Sequence, residues 1–258
     1  MSLISLTTDM GNSGFYVASV KAAILGALPG ATIVDVTHSI RPFHVSAAAF
    51  TLKNVYKQFP EGSIHIVSVD ALNSPHSRVL AIQTEGHYFI GPDNGLFSLV
   101  FTHQPAEVYE IILAPDPASL AFITKDIMVK AAVHIANGAN LAEIGRIYKN
   151  YVQLMAWQPI YNDASIRTSV VYVDEYGNCI FNLEKTLFEQ VTKGRKFEID
   201  VKRNPIETIS KTYNDVGGGE LVALFAGSGL LEIAINRGNI SELLGLKEGD
   251  SVLITFEG

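Results

Sequence analysis

The 258 residues carry 19 lysines and arginines against 26 aspartates and glutamates, a formal net charge of −7, and 48% of them are hydrophobic. An acidic chain repels phosphate backbones, so nucleic acid is not an expected partner. The single cysteine excludes an internal disulfide framework or a cysteine-rich zinc site. The most apolar stretch, Val17 to Leu28, is too short to cross a bilayer and contains Lys21, so no membrane partner is expected. Residues 1–15 lack a basic stretch followed by an apolar core, and the expected location is the cytoplasm.

In chain order, Leu3 to Thr8 reads as a buried strand running into Asp9, Gly11 and Gly14. Val17, Val20, Ile24 and Leu28 then recur at helical spacing until Pro29-Gly30 stops them. Thr32 to Val36 is a second strand. A helix follows through Val45, Ala49, Leu52, Tyr56 and Phe59, ended by Pro60. Ser63 to Val69 forms a third strand that delivers Asp70 at its C-terminal end, and Val79–Thr84 and His87–Ile90 form two more. Lys125 to Ala136 reads as another helix. Strands alternating with helices predict a mostly parallel, Rossmann-like sheet covered on both faces.

The rhythm changes after Tyr151. Thr168–Val173 and Cys179–Leu183 flank the turn-rich Asp174-Glu175-Tyr176-Gly177-Asn178, a hairpin signal. Phe197–Val201, Leu221–Phe225, Leu231–Ile235 and Val252–Phe256 follow as strands, with a helix near Lys185–Val191. The predicted organisation is an α/β domain over 1–155 and a smaller, mainly antiparallel β domain over 166–258.

In an open parallel sheet, ligands bind outside the carboxyl ends of the strands. Three such ends matter here: Asp9-Met10-Gly11, the run from Thr37 to Phe43, and Asp70 to Arg78. Neither a Gly-x-Gly-x-x-Gly run nor a Walker motif follows the first strand, which disfavours a dinucleotide or nucleoside triphosphate. Asp9 suits a ribose diol, because a carboxylate accepts from vicinal hydroxyls, although spacing alone favours a turn or helix cap. Arg78 beside Asp70 would keep that carboxylate ionised, unless the two form an ordinary surface ion pair. Phe43 suits stacking on a purine or a hydrophobic staple after Pro42. The seven histidines show no metal-ligand spacing, so no metal is expected. A Gly-x-Ser-x-Gly elbow is missing too, and Cys179 in an alternating strand reads as inert and buried.

Five motifs in order resemble the S-adenosylmethionine (SAM) hydroxide adenosyltransferase family, relatives of the SAM-dependent fluorinase and chlorinase. They are Thr8-Asp9-Met10-Gly11 with Tyr16-Val17 and Lys21, Val34-Asp35-Val36-Thr37-His38-Ser39-Ile40 with Pro42, and Gly91-Pro92-Asp93-Asn94-Gly95. In the second half they are Asp174-x-Tyr176-Gly177-Asn178 with Asn182, and Gly227-Ser228-Gly229 through Leu231-Glu232-Ile233-Ala234 to Asn236-Arg237-Gly238. The resemblance implies a Rossmann-like first domain, a barrel-like second one, and a homotrimer binding SAM between one subunit's first domain and its neighbour's second. It also implies hydrolysis of SAM to adenosine and L-methionine without a cofactor. Asp9 resembles the ribose ligand, Phe43 the aromatic beside the nucleoside, and Phe122 an aromatic near the reacting centre. Asp174, Tyr176 and Asn178 resemble the loop meeting methionine and adenine. Ser228, Glu232 and Arg237 fall in a further ligand segment, and Tyr213 lines the adenine.

Family hydrolases aim water with an Asp, an Arg and a His, and Asp70 and Arg78 match the first two. Two departures bear on this machinery. The usual Asp-Pro-Gly-Val-Gly loop is here Asp70-Ala71-Leu72-Asn73-Ser74-Pro75, and the histidine position holds Ile123. His76 or Thr124 would then supply the missing hydrogen bond. Halogenases carry Tyr where Asp70 stands, and a carboxylate there repels halide. A non-catalytic SAM or adenosine binder is the alternative from another class.

Overall fold

The computed structural model describes residues 2–72, 77–101, 103, 105, 107–113 and 121–257. The chain divides into two units, Met1–Met155 and Ala156–Gly258. The first contains β1 (Leu3–Thr8), α1 (Tyr16–Ala27), β2 (Thr32–Thr37), α2 (Val45–Val55), β3 (Ile64–Ser68), β4 (Val79–Thr84), β5 (His87–Pro92) and α3 (Leu96–Val100). It closes with β6 (Val108–Ile111), α4 (Val129–Ala136), α5 (Leu141–Ile144) and β7 (Gly145–Ile147). One seven-stranded sheet runs β2-β1-β3-β5-β4-β6-β7. The β2-β1-β3-β5 half is parallel, and β4, β6 and β7 continue it antiparallel, so the α/β sheet is mixed.

Burial explains why these runs are strands. All five residues of β3 and five of six in β1 are buried, which demands cover on both faces. Ile4, Leu6, Ile64 and Ile66 pack with Val20 and Ile24 of α1 and with Met128, Ala132 and Ile135 around α4. Alternate residues point the other way. There Ser5 and His65 meet His87 and Phe89, under Tyr56 just past α2. The predicted helix from Lys125 begins instead as a π-helical turn, Thr124–Met128, before continuing as α4. The first unit's elements missing from the sequence reading (α3, β6, α5 and β7) have three to five residues each, too few for a periodic signal.

The second unit holds β8 (Ile160–Tyr161), β9 (Ser165–Val173), β10 (Cys179–Glu184), α6 (Lys185–Thr192), β11 (Phe197–Val201) and β12 (Asn204–Ile206). β13 (Leu221–Phe225), β14 (Leu230–Ile235), α7 (Ile240–Leu244) and β15 (Ser251–Phe256) complete it. Its antiparallel sheet runs β12-β11-β15-β9-β10-β14-β13, with β8 paired to β9. A bridge from Ser210, just past β12, to Leu224 of β13 nearly closes it into a barrel. Ile166, Val170, Phe181, Ile199, Leu231, Ile233 and Ile254 fill the interior. The β9–β10 hairpin turns through residues 174–178, as the sequence predicts. Cys179 is fully buried, and burial pushes its thiol up to about 12. Among the described residues no helix is long and apolar enough to cross a membrane.

Candidate active site

β1, β2 and β3 run parallel, so the residues that follow them gather along one edge of the sheet. Asp9, directly after β1, is the centre of that edge. Its Oδ2 accepts the backbone N–H of Phe43 at 3.0 Å and that of Asp70 at 3.2 Å. Both donors hold left-handed backbone, φ +67° at Phe43 and +49° at Asp70. Such conformations cost a non-glycine residue on the order of 1–3 kcal/mol and persist only where surroundings over-determine them. The Asp9 carboxylate is one of those surroundings. Among the described residues nothing hydrogen-bonds its Oδ1, which leaves that oxygen's two lone pairs for a ligand. Asp9, Phe43 and Asp70, predicted from three separate strand ends, are thus brought together.

Asp70 is partly buried, and its carboxyl is raised above the ordinary 3.8 by burial first and by the Asp9 charge second. The expected ion pair with Arg78 does not form. Arg78 Nε lies 3.3 Å from Glu110 Oε1, and the guanidinium stacks over Tyr148 at 5.1 Å. Sheet register is the reason. β4 runs antiparallel to β6 with Leu80 opposite Glu110, so Arg78, two residues earlier, lies on the same face of the sheet and reaches Glu110 diagonally.

Phe122 packs edge-on against Tyr16 at 5.3 Å, with Lys125 Nζ 5.8 Å from its ring centre. Ile123, at the histidine position, is buried in the hydrophobic core. The Thr124 hydroxyl meets Ser68 Oγ at 2.5 Å, so it is committed to the end of β3. His76 lies outside the described residues.

Sequence reasoning quoted the groups that hold this edge in shape but gave them no role. Asn94 donates from Nδ2 to the carbonyls of Val69 at 3.0 Å and Asp70 at 3.4 Å. On the other side, Lys21 Nζ lies 2.5 Å from Asp35 Oδ2, and Asp35 Oδ1 lies 3.1 Å from His38 Nε2. Burial pushes the Asp35 carboxyl up, but Lys21 and His38 together hold it below the usual range. The Nε2 contact is close without hydrogen-bond alignment, whereas His38 Nδ1 meets Thr8 Oγ1 at 2.9 Å. The available signal was position: these polar residues stand inside motifs at strand ends.

In the second unit, Asp174 organises its own loop. Its Oδ1 accepts the N–H groups of Tyr176 and Asn178, and its Oδ2 accepts Asn178 Nδ2 at 3.0 Å. Tyr176 is left 78% exposed and Asn178 buried. Glu232, on β14, is 5% exposed and accepts from the Tyr213 hydroxyl at 2.5 Å. Burial raises the Glu232 carboxyl, with the Asp174 charge adding to it, and burial raises the Tyr213 phenol, aided by the bond to Glu232. Ser228 accepts the Leu230 N–H at 3.3 Å, and Arg237 is exposed at φ +58°. Asp174, Tyr213 and Glu232 are therefore electrostatically coupled, with Asn178 hydrogen-bonded to Asp174, whereas Ser228 and Arg237 serve turns. Among the described residues no three His, Cys, Asp or Glu side chains gather as a metal site would need.

Comparison with known proteins agrees in both halves. The family described as the SAM hydroxide adenosyltransferase N-terminal domain matches residues 4–145, and its C-terminal domain matches 168–253. A curated relative named (R)-S-adenosyl-L-methionine hydrolase, from Thermus thermophilus, is 30% identical over 260 residues, spanning 96% of this chain and 98% of its own. A fluorinase from an Actinoplanes species is 25% identical over 289 residues, 98% and 97% of the two chains. The crystal structure of an uncharacterized conserved protein from Thermotoga maritima, 30% identical, superposes with a TM-score of 0.88 over 98% and 99% of the chains.

Proposed function

The chain belongs to the SAM hydroxide adenosyltransferase family, and from that premise we propose that it hydrolyses SAM to adenosine and L-methionine by in-line attack of water on the ribose C5′. The observation that carries the reading is the pairing of Asp9 and Asp70 at one sheet edge, where Asp9 keeps one oxygen open and Asp70 is a partly buried, strengthened base. The water oxygen bonds to C5′ as the C5′–S bond breaks. The electron pair goes to sulfur, which departs as the neutral thioether of methionine. The water proton passes to the Asp70 carboxylate and then to solvent. A sulfonium needs no acid to leave, so positioning and partial desolvation of water are what the protein must supply.

In this reading Asp9 Oδ1 receives the ribose diol, and Phe43, 73% exposed, stacks beside the nucleoside. Phe122 borders the reacting carbon, and Thr124, through Ser68, steadies the strand end that carries Asp70. Arg78, held by Glu110 and Tyr148, is given no part in the step. Asp174, Tyr176, Asn178, Tyr213, Ser228, Glu232 and Arg237 serve the methionine and adenine ends. The reading extends to a cytoplasmic homotrimer with sites shared between subunits and no cofactor.

Calorimetry with adenosine and chromatography of SAM incubations test it. Asp70→Ala should abolish adenosine release and keep adenosine affinity within about threefold; unchanged turnover would remove Asp70 from the mechanism. A second reading, a SAM or adenosine binder without turnover, draws on buried Ile123 at the histidine position, and tight ligand retention without product supports it. Halide transfer is disfavoured by the charge of Asp70, and 5′-chloro-5′-deoxyadenosine formed at high chloride would reverse that.

A further inference from the structure

The chemistry at Asp70 depends on a left-handed conformation, φ +49°, that its surroundings hold. A left-handed residue other than glycine persists where its surroundings over-determine it. The tie on its N–H is Asp9. The ties on its carbonyl side come from Asn94, which follows β5 and is 7% exposed. The orientation of that amide is fixed by its partners. The Leu96 N–H, at the start of α3, needs an acceptor and takes Oδ1 at 3.2 Å. Nδ2 is then the only end that faces the Val69 and Asp70 carbonyls, as donors must.

We propose that Asn94 is a positioning residue for the hydrolysis, its side-chain amide holding Asp70 left-handed so that the carboxylate stays beside Asp9. This rests on the hydrolase reading above. With the amide gone, the buried Val69 carbonyl loses a donor, and rotation about φ of Asp70 swings the Cα–Cβ direction away from Asp9. Displacing a reacting group by about 1 Å costs on the order of 100-fold in rate. Asn94 also caps α3, so its two ends must be separated experimentally. Asn94→Asp retains the acceptor for Leu96 and removes the donor, whereas Asn94→Ala removes both.

Adenosine release, adenosine affinity by calorimetry, and crystal structures of both variants form the test. The expected result is a fall in kcat of about 10- to 100-fold in each, with KM for SAM and Kd for adenosine within threefold. Asp70 should leave positive φ in both structures. A kcat within threefold of the parent, or Asp70 unmoved in the Asn94→Asp crystal, overturns the assignment. So does a fall in kcat that appears only in Asn94→Ala, since that isolates the cap. If the parent protein releases no adenosine at all, the hydrolase reading fails by itself, and the Asp70 conformation in the crystals still decides what Asn94 does.

Discussion

Acid should weaken the first unit through one buried imidazole. His65, on β3, is fully buried and sits between the stacked ring of Phe89 at 5.0 Å and the edge of Phe59 at 5.2 Å. Its Nδ1 meets Ser5 Oγ at 2.7 Å, and its Nε2 lies 3.3 Å from His87 Nδ1. Burial first, and His87 second, lower its pKa from 6.5 to about 4.

The sign follows from linkage. The folded pKa lies below the unfolded one, so between pH 6.5 and 4 the unfolded chain holds the extra proton. Stability from this site is complete above 6.5 and drains away as pH falls toward 4. The shift of roughly 2.5 units at 1.36 kcal/mol each gives about 3 kcal/mol. The single tryptophan, Trp157, belongs to the second unit, so its fluorescence reports the other half of the chain. Hydrogen exchange of the β3 amides between pH 7 and 4.5 is the suitable assay, with His65→Gln as reference because carboxylates also titrate in that window. The parent should lose about 2–3 kcal/mol more than His65→Gln across it. Parallel curves for the two proteins would refute the argument.

Three further outcomes follow from the geometry. The rate of adenosine release should rise with pH to a plateau, because Asp70 acts deprotonated, with an inflection above 3.8; an inflection at or below that value contradicts the burial and Asp9 effects. Gly177 sits at φ +79°, and a methyl group there would overlap the Asn239 amide that caps α7. Gly177→Ala should therefore cost about 2 kcal/mol or more in urea denaturation followed by Trp157 fluorescence, and a change under about 0.5 kcal/mol would mean the loop moves freely. Tyr213→Phe removes a donor from buried Glu232 and should cost about 1–2 kcal/mol while raising the Glu232 pKa further, read by carbon-13 titration. A lowered Glu232 pKa would show that the phenol does not stabilise the ionised carboxylate.

The sequence made legible whatever strand burial dictates. Apolar runs such as Leu3–Thr8 and Ser63–Val69 must be covered on both faces, which forces their first polar successors, Asp9 and Asp70, to a common edge. It did not reveal which partner each polar side chain takes. Arg78 was read with Asp70 because they are close in sequence, but the antiparallel register of β4 and β6 brings it to Glu110, 32 residues on in the chain. Nor do left-handed positions show when the residue is not glycine. Phe43 and Asp70 look like an aromatic and an acid, and their conformations follow only from a carboxylate and an amide contributed by other strands. Asn94 stood in a motif but received no role for a related reason: it carries no charge or nucleophile, so a search for reactive groups passes over it. Its position between a buried strand and the apolar Leu96-Phe97 was the readable sign. A polar amide placed there has to satisfy backbone, and the backbone within its reach is that of Asp70.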